Sequence, residues 1–392
     1  MTSFDAVWQS LERSVADGYA PGIVAGVRHR GNTEFFATGR FAFEPDSAAM
    51  TPDTPFRVAS VGKLVAGALS TMLLDEGVLE LDAPIDLWLP EFAAPRVLVR
   101  PDAPLDETIA ADRSITVRDL LTMTAGFAFP MPETPLTRAM AEAGVASGYV
   151  PAQVDPDAFA AHLGALPLAH QPGSRFVYDT AADVLSILLA RASGVSLGEL
   201  VRTRVAEPLG LTGTGFAVEA ATDALGESLP TPYRATDDDT LEVYAPLVGV
   251  FEQPPHFESL RGGLVSTVPD ILRFLAAIAD DELLTRDQRM RMTGDQLTDD
   301  QRQGLTEMGD EGHGWGFQAG VDLLPDAIRE EALAKEPWRA AGRWGWTGGT
   351  GTSAYVDPSR DLIGVVFTQH LIAAPTDDFA YFWRPLVASV DG

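Results

Sequence analysis

Stretches patterned for β-strands lie at both ends of this 392-residue chain and helix-patterned stretches fill its middle, so a stable fold must bring the two ends together into one sheet. Near the start, residues 23–27 and 34–37 are β-rich and are separated by Gly31-Asn32, which predicts a hairpin. Near the end, residues 314–319, 342–346, 352–356 and 362–368 read as further strands. Phe4, Val7, Trp8, Leu11 and Val15 recur at helical spacing and predict an opening helix, and residues 379–387 predict a closing one. Between them, residues 116–123 and 183–192 carry helical patterns that stop near Gly126 and at Gly194. Residues 217–260, rich in Pro, Asp and Thr without a period, predict long loops that wall a pocket.

The expected fold is therefore of the α/β (α+β) class: an antiparallel sheet flanked by helices, plus an all-helical lobe. Its length exceeds what one hydrophobic core usually supports, which predicts two domains. Residues 1–85 and 262–392 would form the sheet domain and residues 86–261 the mainly helical one, with the site in the cleft between them.

Charge narrows the partners. Lys+Arg 28 against Asp+Glu 56 leaves a net charge of −28, which repels nucleic-acid phosphates and anionic membranes. The first eight residues lack a basic stretch followed by an apolar one, and no later apolar run reaches membrane-spanning length. A cytoplasmic protein with a small-molecule partner is expected. There is no cysteine, so thiolate chemistry is excluded, and the six histidines show no metal-binding spacing. No metal or cofactor is expected, and no motif supports a Ser-His-Asp triad.

Lys63 is one of only two lysines and stands three residues after Ser60 in the run Ser60-Val61-Gly62-Lys63. The apolar residues Leu64, Val65, Ala68, Leu69, Met72 and Leu73 trace one helical face after it. If Ser60 opens that helix, Ser60 and Lys63 share a face with Cβ atoms about 5–6 Å apart, near enough for proton transfer. The helix N-terminus favours negative charge on the serine oxygen. Lysine acts as a base only when its proton affinity is lowered, which the apolar neighbours would do. The same pattern also suits a helix-capping serine followed by a surface lysine.

Two other segments carry candidate chemistry. Gln171-Pro172-Gly173 is a turn signal that leads through Phe176 and Tyr178 into a helix, and a tyrosine at that junction either relays a proton or packs in the core. Gly345-Trp346-Thr347-Gly348-Gly349-Thr350-Gly351 lets backbone approach a substrate and present N–H groups to an oxyanion, and equally suits a tight hairpin. A second serine motif is set aside. Gly194-Val195-Ser196-Leu197-Gly198 has the G-x-S-x-G spacing, but a helix precedes it, and Ser196 with Glu199 reads as a capping box. No phosphate-binding loop pattern is present.

Taken in order, these segments resemble the serine β-lactamase and penicillin-binding superfamily, and within it the class C β-lactamase-like esterases called family VIII carboxylesterases. Ser60-Val61-Gly62-Lys63 resembles the S-x-x-K element, Tyr178-Asp179-Thr180 the Y-x-N element and Trp346-Thr347-Gly348 the K-T-G element. The resemblance extends to flanking stretches, among them Glu207-Pro208-Leu209-Gly210-Leu211 and Gly262-Gly263-Leu264-Val265-Ser266-Thr267. It implies a β-lactamase-like fold, Ser60 as the acylated nucleophile, Lys63 and Tyr178 as the general-base pair, and the backbone N–H groups of Ser60 and Gly349 as the oxyanion hole.

Two departures shape the expected substrate. Thr180 stands where the asparagine of Y-x-N belongs, and Asn32 is the only asparagine in the chain. Trp346 replaces the lysine of K-T-G, which removes a cation that would pair with a substrate carboxylate. With Gly348, the indole offers an apolar pocket wall suited to a neutral ester. A serine carboxylesterase of short-chain neutral esters is expected. The rivals are an amidase of the same superfamily, with Arg175, Arg261 or Arg343 receiving a substrate carboxylate, and a catalytically silent binding protein.

Overall fold

A computed structural model of the chain describes residues 4–218, 229–238, 240–309, 311–372 and 379–392. Strand β1 (Gly22–His29) runs into β2 (Asn32–Gly39) through Arg30-Gly31, both at positive φ, 49° and 80°. This is the two-residue turn whose twist suits antiparallel neighbours. It sits one residue earlier than Gly31-Asn32 because Asn32 already pairs with His29.

Five later strands complete the sheet: β3 (His313–Trp315), β4 (Gly320–Asp322), β5 (Trp344–Gly348), β6 (Thr352–Asp357) and β7 (Leu362–Phe367). Their order is β2-β1-β7-β6-β5-β4-β3, antiparallel throughout. The pairing of β1 with β7, from Val24 opposite Phe367 to His29 opposite Leu362, is what joins the two ends of the chain. The stretch 314–319, expected as one strand, instead holds the end of β3 at 314–315 and the turn at 316–319 that leads into β4. Gln318 adopts φ 59° there, and its buried amide donates to the Leu120 carbonyl at 2.8 Å.

Five helices position the sheet and the site: α1 (Asp5–Ala16), α2 (Gly62–Asp75), α3 (Thr180–Ser193), α4 (Val268–Ala279) and α5 (Ala380–Asp391). Ile23, Ala25 and Val27 of β1 pack with Val7 and Leu11 of α1 and with Phe382 and Leu386 of α5. The opposite face of β1 meets α4 so closely that a Cβ on Gly26 would lie 2.8 Å from Val268. Both faces are therefore covered, which explains why β1 reads as a nearly continuous apolar run. α2 is buried along nearly its whole length, from Gly62 to Leu73, and belongs to the same core as α3 and α4.

Further helices span Pro135–Glu142, Pro156–Gly164, Arg286–Thr293 and Asp299–Glu307, each opened by a capping Thr or Asp side chain. Within 217–260, the described residues include the pair Tyr233–Ala235 and Leu241–Val243; residues 219–228 and 239 lie outside the described set. Among the described residues no single helix is long and apolar enough to cross a membrane.

Candidate active site

The segment that carries Ser60 is fixed from two sides. Phe56–Arg57 pairs with Val265–Ser266, and the Val58 N–H donates to the Leu264 carbonyl at 3.1 Å. From the sheet, Thr352 Oγ1 donates to the Val58 carbonyl at 2.9 Å and Thr350 Oγ1 to the Arg57 carbonyl. The chain then bends at Ala59, whose φ of 45° is unusual for a residue with a side chain, into a 3₁₀ turn, Ala59–Val61, continuous with α2. No side chain caps either element, so Ser60 is not spent as a helix cap. Ser60 is partly exposed.

Gly348 packs directly on this turn; a Cβ there would lie 2.5 Å from the Val58 carbonyl oxygen and 3.2 Å from the Ala59 Cβ. That contact needs glycine, and it brings Gly349 beside the start of the Ser60 turn, where the first N–H groups have no partner within the turn. Tyr149 lies over Gly349, with its hydroxyl donating to the Ile372 carbonyl at 2.8 Å.

Lys63 is fully buried and, among the described residues, has three oxygen neighbours. Its Nζ is 2.9 Å from Ser60 Oγ, 2.6 Å from Asp179 Oδ1 and 2.8 Å from the Arg261 carbonyl oxygen. The guanidinium of Arg261 in turn reaches Asp179 Oδ2 at 3.3 Å and Asp183 Oδ2 at 2.7 Å, and Ser259 donates to Asp183 Oδ1 at 2.6 Å. Burial drives Lys63 below the usual lysine range; Asp179 opposes this and the Arg261 charge assists it. Burial pushes Asp179 upward, but Lys63 and Arg261 outweigh it and hold the carboxyl below its ordinary range. Asp183 is pushed up, chiefly by burial.

Tyr178 occupies the other flank of Ser60. Trp346 Nε1 donates to its oxygen at 2.6 Å, and its ring sits among Phe176, Trp315 and Trp346 with centroids 6.3, 5.9 and 5.6 Å away. Lys63 Nζ lies 4.7 Å from the centroid of the same ring. Burial and the Asp179 charge push the phenol well above its ordinary range, with hydrogen bonding to Ser60 and Trp346 offsetting part of the effect. The indole of Trp346 fits only because β4 offers Gly320 opposite it, where a Cβ would lie 2.5 Å from the ring.

Ser60, Lys63, Tyr178, Trp346 and Gly348 thus converge, with Gly349 next to them. Thr180 does not face Lys63; its hydroxyl donates to the Ala128 carbonyl at 3.2 Å. Asp179, the middle residue of the Y-x-N stretch, takes that place, and the sequence reading passed over it. It does so through a strained backbone, φ 99° and ψ −64°, close to the rare γ-turn conformation and costing on the order of 1–3 kcal/mol. Trp315, which comes from the far strand β3, was also missed. Of the three arginines proposed to meet a substrate carboxylate, Arg175 pairs with Glu307 and Arg261 lies in the buried ion network. Arg343 stacks on Tyr355 and Trp383 at 3.8 and 4.5 Å. Ser196 caps Leu197–Val201 by accepting from the Glu199 N–H at 3.1 Å, while the Glu199 carboxylate pairs with Arg202 rather than closing a capping box.

The chain is similar to known proteins over most of its length. Residues 8–387 match the Beta-lactamase family. Protein Rv1367c of Mycobacterium tuberculosis is 36% identical over 330 residues, covering 82% of this chain and 79% of that protein. Esterase EstB of Burkholderia gladioli is 31% identical over 363 residues, covering 88% and 85%. The solved structure of EstCE1, a hydrolase with promiscuous acyltransferase activity, superposes with a TM-score of 0.78 at 23% identity over 99% of this chain and 98% of that one.

Proposed function

The chain belongs to the Beta-lactamase family and is a serine hydrolase, and from that premise we propose that it is a carboxylesterase of short-chain, neutral esters that works through an acyl-enzyme on Ser60. One observation carries the reading: Ser60 is flanked by two groups whose proton affinities are pushed apart, Lys63 down and Tyr178 up. Such a split assigns the lower group as base and the higher as acid.

In the proposed reaction Ser60 Oγ attacks the ester carbonyl and its proton passes to Lys63 Nζ, 2.9 Å away. The N–H groups of Ser60 and Gly349 receive the oxyanion. Collapse breaks the C–O bond, and Tyr178 gives its proton to the departing alkoxide, its own oxygen stabilised by the Trp346 N–H. Water then attacks the acyl-enzyme, returning a proton to Tyr178, while Ser60 Oγ leaves and recovers its proton from Lys63. The cycle restores every group.

Neutral esters are favoured because an indole stands where the resemblance places a cation, and because Arg175, Arg261 and Arg343 are engaged elsewhere. The same engagement weighs against an amidase that holds a substrate carboxylate. Acyl transfer to an alcohol in place of water is the second reading; EstCE1, with the same fold, carries that activity beside hydrolysis. A cytoplasmic location belongs to the proposal as well, and fractionation tests it. Ser60→Ala is expected to abolish ester hydrolysis in a folded protein, and retained hydrolysis would reject the assignment. A matched ester and amide pair separates esterase from amidase, and turnover with added alcohol separates hydrolysis from transfer.

A further inference from the structure

Lys63 Nζ has three oxygen neighbours and two of them can only accept: Asp179 Oδ1 and the Arg261 carbonyl, at 2.6 and 2.8 Å. A neutral amine has two N–H groups and one lone pair. With both N–H groups committed to those acceptors, the lone pair is left facing the third neighbour, Ser60 Oγ, at 2.9 Å. The alignment depends on a carboxylate that is itself held. Arg261 supplies the carbonyl from its backbone and pins Asp179 with its side chain, and Asp183 pins Arg261 in turn. The strained backbone at Asp179 is what turns its side chain, rather than that of Thr180, toward the lysine.

We propose that Asp179, held by Arg261, is a positioning residue that aims the Lys63 lone pair at Ser60 and sets the pH at which that lone pair becomes free. The proposal rests on the esterase reading for its catalytic meaning. The groups that face Lys63 are Ser60 from its own turn, Tyr178, Asp179 and Asp183 from α3 and its lead-in, and Arg261 from the segment before Val265–Ser266. Asp179 carries the negative charge in direct contact with the ammonium, so its removal lowers the pH at which Lys63 deprotonates. The acid limb of kcat/KM then moves to lower pH.

The chain's two lysines make this directly measurable. Lys335 is exposed and pairs with Glu331 at the surface, so ¹³Cε-lysine labelling gives two NMR signals, which Lys335→Arg assigns. Asp179→Asn keeps an acceptor and suits positive φ, whereas Asp179→Gly removes the side chain without strain. The expected results are a Lys63 midpoint below that of Lys335, lowered in Asp179→Asn by about one pH unit or more. The acid limb should move in parallel. Asp179→Gly should lower kcat by about 10²-fold at unchanged KM, with Asp179→Asn recovering most of the loss. An unmoved Lys63 midpoint, or equal losses in both variants with unmoved limbs, overturns the proposal. The NMR readout needs no turnover, so an Asp179→Asn shift in a protein lacking Ser60-dependent hydrolysis refutes the esterase reading while sustaining the charge-setting role of Asp179.

Discussion

Replacing Tyr178 by Phe removes one oxygen and leaves the ring, so it isolates the proposed proton-donating role from the packing role. The ring contacts with Phe176, Trp315 and Trp346 and the stacking over Lys63 survive the change. What is lost structurally is the acceptor of the Trp346 N–H, now 2.6 Å away. An unmet donor costs about 1–3 kcal/mol, and Trp346 is only partly buried, which places the loss at the lower end. With an unfolding entropy of about 2.1 cal/mol/K per residue over 392 residues, Tm should fall by only about 1–2 °C. Loss of a general acid costs about 10²–10⁴-fold in kcat, or about 3–5 kcal/mol of barrier. The catalytic effect therefore exceeds the structural one and cannot be a by-product of it. Steady-state kinetics on an alkyl ester and on p-nitrophenyl butyrate, with thermal melts alongside, measure both. The loss in kcat/KM, which reports the steps up to departure of the alcohol, should be larger for the alkyl ester, whose alkoxide needs a proton, than for nitrophenolate, which leaves without one. Wild-type kcat/KM on the alkyl ester in a folded Tyr178→Phe protein, or equal kcat/KM losses on both substrates, would rule out proton donation by Tyr178 to the leaving group.

Two further outcomes follow from other parts of the structure. Gly320→Ala places a methyl group 2.5 Å from the Trp346 ring, so the indole must shift and its bond to Tyr178 break; kcat on alkyl esters should fall by about tenfold or more with a lowered melting temperature. Unchanged kinetics would show that the indole is not held from beneath. His170 is held at about 4, below its ordinary value of 6.5, mainly by burial. The unfolded chain therefore takes up this proton first as pH falls. The stability His170 contributes is full above about 6.5 and is lost between there and about 4, so Tm should drop through that window and His170→Gln should flatten the drop.

Much of this was legible because it depends on local spacing. Ser60 and Lys63 face each other as an i, i+3 pair on a helical segment, and the Arg30-Gly31 turn lies within one residue of its predicted place. The part that was not legible depends on dihedral angles and on distant strands. Which residue of Tyr178-Asp179-Thr180 meets Lys63 is decided by the φ of 99° at Asp179, a conformation no sequence pattern announces for an aspartate. Trp315 and Trp346 meet edge to face, 4.6 Å apart, only because β3 and β5 flank a strand with Gly320 at the crossing. Residues 314–319 were misread as one strand because their apolar and glycine content suits a strand and a tight turn equally. The turn is imposed by close packing: a Cβ on Gly316 would lie 2.1 Å from the Met292 carbonyl oxygen.

Acylation of Ser60 is tested by mass spectrometry of the intact protein and its peptides after brief exposure to p-nitrophenyl butyrate or a phosphonate ester. A single adduct is expected on the peptide containing Ser60, absent from Ser60→Ala. An adduct on Ser196, or none on a folded protein, would contradict it.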